Sequence, residues 1–215
     1  MKTWTASLGG SRWLVLAAVV ALAQGCAVGQ KVSYGDASPE LRAGGGAIAV
    51  GVQDRRPYVL SGEKTPDFVG VSRGGFYNPF DVNTASGKPL ADDAAGAIAR
   101  SLGARGARVT TVPIAPKDTE AQALAALERA GQPRSLYVTI FEWRSDSYTG
   151  TGFDFDLQAV GYGPGGRKLG ENRVQGGEHM GGSMGIHSAS EELPKELAKK
   201  IELLLNDPRL DGALR

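Results

Sequence analysis

Four soft or borderline metal ligands crowd one short stretch of the chain: His179, Met180, Met184 and His187, set among the glycines of Gly181-Gly-Ser183-Met-Gly185. Thioether and imidazole groups at this density suit copper, although no second ligand cluster supports them. The same stretch spells the G-x-S-x-G of a hydrolase nucleophile elbow. That serine needs a strand-to-helix turn with an acid and a histidine downstream, and the only later histidine is His187, four residues on, so the elbow fails. Gly161-Tyr-Gly-Pro-Gly-Gly166 matches G-x-G-x-x-G, but Arg-Lys-Leu-Gly follows it where a dinucleotide site needs a helix start; a hairpin turn explains it better. Carboxylates are the remaining catalytic material. Asp154, Asp156 and Glu171 would serve a glycan hydrolase, yet Asp154 and Asp156 alternate with Phe153, Phe155 and Leu157 and so belong on a solvent face. Asp54-Arg-Arg56, at a strand end, offers either an anion site or a surface ion pair.

The sole cysteine, Cys26, takes its chemistry from what precedes it. Lys2 and Arg12 form a basic leader, residues 13–23 an apolar core too short to span a bilayer permanently, and small Gly25 sits before the thiol: the layout of a cleavable secretory signal. Leu22-Ala-Gln-Gly-Cys26 resembles the lipobox of bacterial lipoproteins, whose thiol takes a diacylglycerol before cleavage and whose new amine is then acylated. The resemblance implies a signal peptide over 1–25, lipidation at Cys26 with palmitate-type chains and, from Ala27 in place of an aspartate, the periplasmic face of the outer membrane. One acyl chain holds marginally, at about 0.8 kcal/mol per buried CH₂, whereas two or three hold a domain without a transmembrane helix. Losing Lys2 and Arg12 with the signal takes the formal charge from +1 to −1, so nothing draws the mature chain to nucleic acid. With its cysteine in the anchor, it has no intrachain disulfide and must rely on burial for stability.

The elements that must position these groups follow from periodicity. Residues 26–46 are small and polar, end in Gly44-Gly-Gly46 and read as a flexible tether. Ile48, Val50 and Val52 alternate into a first core strand. The Gly- and Pro-rich run 55–88 carries aromatics and is too long for a structureless loop, so short strands are expected at 68–73 and 80–84. Leu90, Ala94, Ile98 and Leu102 define a helix with Asp92 and Asp93 in its first turn. A strand follows at 109–113, then a helix from Thr119 to about 130 with Leu124 and Leu127 inward. Leu136, Val138 and Ile140 alternate against Tyr137, Thr139, Phe141 and Trp143, and with 153–158 and 168–174 they predict an antiparallel meander. Ser190 opens a last helix, with Leu193, Leu197, Ile201 and Leu204 buried and Lys199 and Lys200 outward.

In this order the chain resembles the YajG-type family of bacterial lipoproteins. The resemblance rests on the lipobox at Cys26, Ile48-Ala-Val-Gly-Val-Gln-Asp-Arg-Arg56, the helix-to-strand run 90–112 with Gly106 at its junction, and the terminal Leu-Leu-Leu-Asn-Asp-Pro208. It implies an envelope address and a fold more than an activity. The expected fold class is α/β (α+β): a two-layer sandwich of a mixed, largely antiparallel sheet under about three helices, forming a single domain over 47–210. The expected function is that of a non-enzymatic interaction or assembly accessory module with no cofactor and an envelope protein partner; copper carriage and glycan hydrolysis are the alternatives. Its partner surface is placed at Gly74-Gly-Phe-Tyr-Asn-Pro-Phe80, where Phe76, Tyr77 and Phe80 either stay exposed as anchors or fold back onto the strand at 48–52.

Overall fold

The structure, a computed structural model, describes residues 29–180 and 186–215. In chain order the elements are β1 (Lys31–Val32), β2 (Ala47–Asp54), the single-turn α1 (Pro57–Leu60), β3 (Phe68–Arg73), β4 (Pro79–Thr84), α2 (Leu90–Ala104), β5 (Arg108–Pro113), α3 (Glu120–Arg129), β6 (Ser135–Ser147), β7 (Thr151–Tyr162), β8 (Lys168–Met180), α4 (Ile186–Leu205) and the short α5 (Asp211–Leu214). The fold is α+β, with one mixed sheet of eight strands among the described residues. Antiparallel pairing runs the length of β6, β7 and β8, while β2 pairs in parallel with both β5 and β6.

β6 organises the sheet. Its first half pairs with β2, from Ala49↔Ser135 to Asp54↔Ile140, and its last residues pair with β3, from Gly70↔Ser145 to Ser72↔Ser147. Two strands therefore lie end to end along one edge of β6, and the seam between them leaves carbonyls without ladder partners. Arg56 fills that seam. Its guanidinium donates to the carbonyls of Phe68 (2.5 Å), Pro66 (3.1 Å) and Trp143 (3.2 Å) and is held by both oxygens of Asp54 at 2.6 and 2.8 Å. Both side chains are buried, so Asp54 and Arg56 form neither an anion site nor a surface pair: the pair satisfies backbone groups that the strand junction would strand away from water.

Most of the core lies between one sheet face and helices α2 and α4. Leu90, Ala94, Ala97, Ile98 and Leu102 of α2 and Leu193, Leu197, Ile201 and Leu204 of α4 meet Ile48, Val50, Val52, Leu136, Val138 and Ile140. α3, capped by a reciprocal Thr119–Gln122 box, covers the other face with a smaller cluster that includes Leu127, Tyr137 and Tyr162. A bulge between Ile140 and Glu142 shifts the parity of β6, so Trp143, which alternation placed opposite Ile140, joins the same core.

Three further expectations are corrected. Residues 29–46, read as part of the tether, pack against the domain: Val32, Tyr34, Ala37, Leu41 and Ala43 are buried. Their irregular backbone is satisfied by side chains, Glu40 N–H by Glu202, Arg42 N–H by Asn206, and the Glu40 carbonyl by Asn206, so no periodic pattern was needed to dock them. Lys200, expected outward, is 1% exposed. It lies over the Phe155 ring at 4.3 Å and pairs with Glu178, because β8 runs beneath this face of α4. α4 itself begins at Ile186, ahead of Ser190, and carries Pro194 within it.

Candidate functional site: the aromatic end of the sheet

The β3–β4 turn closes with Gly74 N–H donating to the Asn78 carbonyl at 2.9 Å. Inside it Phe76 and Tyr77 have φ of 61° and 65°. Left-handed backbone brings Cβ against the following carbonyl and costs roughly 1–2 kcal/mol per non-glycine residue. Phe76 is nevertheless 99% exposed, and Tyr77 56%. The Phe76 ring does not fold back onto β2; it projects from the end of the sheet.

The rest of this end braces the turn. Tyr77 packs edge-on against Tyr148 at 5.1 Å, Arg73 lies over the Tyr77 ring at 4.2 Å, and Arg73 forks onto Asp146 at 2.5 and 2.7 Å. The hydrogen bonds from Arg73 hold the Asp146 carboxyl below its ordinary range. Phe80 is 39% exposed and leans on Gly74, where a Cβ would meet its ring at 2.8 Å. Tyr148 is 52% exposed, so the adjacent β6–β7 turn extends the same surface. Sequence reasoning missed Tyr148, Arg73 and Asp146. The available signal was an aromatic beside a glycine turn, Tyr148-Thr-Gly150, repeating the pattern at Phe76.

Among the described residues the other candidates do not assemble into a site. His179 pairs with Gly152 and Met180 with Thr151 on the neighbouring strand. His179 is exposed and Met180 packs on the core, as successive strand residues must point to opposite faces. Met184 and the side chain of His187 lie outside the described residues, as does Cys26. No group of three metal-ligating His, Cys, Asp or Glu side chains occurs among the described residues. Asp156 is paired with Arg173 at 2.5 Å and Glu171 with Lys168 at 2.6 Å. Asp154 is exposed at a different height of the sheet from Glu171, which stands opposite Val160. A cleft of about 250 Å³ at the far end, between α3 and the Gly163–Gly166 turn, is lined mainly by Leu124, Leu127, Glu128, Gln132 and Tyr162. Among the described residues no helix is long and apolar enough to cross a membrane.

No family model and no curated protein matches the chain. Solved structures similar to it include a DUF330-family protein from Xanthomonas campestris, at 10% identity over 85% of this chain and 93% of that one, with a TM-score of 0.49. PelC from Paraburkholderia phytofirmans is similar at 17% identity, over 78% and 92%, with a TM-score of 0.40. Lipoprotein GNA1162 from Neisseria meningitidis is similar at 14% identity, over 73% and 97%, with a TM-score of 0.29. At these values the functional reading must come from the chain's own residues.

Proposed function

We propose that this chain is a cell-envelope lipoprotein of the YajG-like kind, held by acyl chains on Cys26 at the periplasmic face of the outer membrane. It works there as a non-enzymatic interaction or assembly accessory module. Its working surface is the aromatic end of the sheet. The observation that carries this reading is the placement of Phe76: a bulky apolar ring in a left-handed conformation, fully exposed, on a turn where glycine would close the hairpin without strain. Such a residue contributes nothing to the core and offers contact area at low ordering cost.

The anchor is tested by Cys26→Ser, which should leave an uncleaved or soluble product; an unchanged mature mass and detergent partitioning would remove Cys26 from the reading. The surface is tested in intact envelopes with a photoreactive residue at position 76 or at position 167, in the exposed turn at the other end. Adducts are expected from 76 and not from 167. Equal yields from both would mean the aromatic end is not the working surface.

A further inference from the structure

The direction in which the chain enters the domain says what meets the aromatic end. β1 runs parallel to β4, with Lys31↔Asn83 and Val32↔Thr84 in register. Gly29 is already level with Asp81, since a Cβ built on it would lie 3.2 Å from the Asp81 carbonyl. β4 begins at Pro79, directly after the turn that carries Phe76 and Tyr77. Going upstream from Val32, the described chain thus heads toward the aromatic turn, and Gly29 stands two residues of strand short of where that turn begins.

Only Ala27 and Val28 lie between Gly29 and the acylated Cys26, so three chain steps join the two. Three residues reach at most about 11 Å even fully extended. Two residues of strand, from Asp81 back to Pro79, already cover about 7 Å of that distance. Because residues 29–46 are docked, the long tether that would let the domain hang free of the bilayer is gone. The headgroup layer is itself roughly 5–8 Å thick on each side. A domain moored this closely, by this edge, must bring the same end of its sheet to the lipid surface.

We infer that Phe76, with Tyr77 and Tyr148 behind it, is a membrane-contacting wedge seated in the lipid interface in which Cys26 is anchored. This rests on the lipoprotein reading and adds the partner: a lipid surface. The residue types fit that partner. An apolar ring leads, and two tyrosines with polar tips sit behind it, the arrangement favoured where hydrocarbon gives way to headgroups. The strained turn is then maintained because the ring gains apolar burial only when the membrane is present.

The test uses the mature acylated protein in phosphatidylethanolamine–phosphatidylglycerol vesicles containing brominated-chain phosphatidylcholine. Downstream of Cys26 the only tryptophan is the buried Trp143, which gives a constant background. Phe76→Trp and Arg167→Trp add a reporter at each end, both on exposed positions, and an unchanged melting temperature checks that each variant is folded. With the protein floating on the vesicles, the added emission of Phe76→Trp should fall about twofold on bromination and that of Arg167→Trp should not change. Flotation without selective quenching at position 76 overturns the wedge and leaves the anchor standing. A photoadduct from position 76 to a protein in place of lipid overturns it in the same way. Failure to float removes the anchor reading, and the wedge falls with it.

Discussion

Two turns at opposite ends of the sheet have nearly the same backbone. In the β7–β8 turn, Gly163 N–H donates to the Arg167 carbonyl at 2.8 Å and the left-handed positions, at φ 68° and 71°, are Gly165 and Gly166. In the β3–β4 turn the closure is 2.9 Å, and Phe76 and Tyr77 hold the equivalent positions at 61° and 65°. One chain therefore solves one geometric problem twice, once with the residue that fits and once with two that do not. Hairpin closure alone therefore accounts for the glycine turn but not for the residues of the aromatic one.

Stability therefore resides beneath the aromatic turn and not in it. Asp54→Ala, which leaves the Arg56 guanidinium buried and unpaired at the seam, should destabilise by about 3–5 kcal/mol in a urea melt. Phe76→Ser should cost less than about 1 kcal/mol, as expected of an exposed site. A Phe76→Ser loss as large as that of Asp54→Ala would mean the ring is a core residue and would break the comparison. Leu197→Ala or Ile201→Ala, on the buried stripe of α4, should cost on the order of 2–5 kcal/mol through lost burial and a cavity, with Lys199→Ala near zero in the same assay.

Exchanging the turns sharpens the contrast. Gly165→Phe with Gly166→Tyr moves the strained pair to the other end and should destabilise by roughly 2–4 kcal/mol, measured by thermal melting. The reverse change, Phe76→Gly, relieves roughly 1–2 kcal/mol of strain against about 0.5–1 kcal/mol of added chain entropy, so the protein should be unchanged or up to about 1.5 kcal/mol more stable. A marked loss on Phe76→Gly would show that the ring supports the fold after all.

The smallest effect is electrostatic. Arg73 lowers the Asp146 pKa in the folded state, so this contribution is fully present above the unfolded carboxylate value of about 4 and is lost as pH falls through the lower folded value. Chemical melts between pH 5 and pH 2 should show a decline that Asp146→Asn reduces. An identical decline in that variant would assign it to other carboxylates.

The local elements were legible in the sequence because each is written in consecutive residues. The alternation of Ile48, Val50 and Val52, the stripe of Leu90 to Leu102 and the Gly/Pro punctuation around 68–84 fix strands and helices by short-range periodicity and turn chemistry. Composition likewise identified Phe76, Tyr77 and Phe80 as an aromatic segment in a turn. What the sequence could not show is anything set by contact between distant segments. The docking of residues 29–46 depends on Glu202 and Asn206, some 160 positions away, and the burial of Lys200 depends on β8 passing beneath it. Arg56 became a seam filler only because β2 and β3 share one edge of β6. Tyr148 joined Tyr77, and Gly29 arrived at the same end, only because of parallel pairings across the sheet. Periodicity records which face a residue turns toward the core, whereas strand order and register decide which residues meet, and those are properties of the packed chain as a whole.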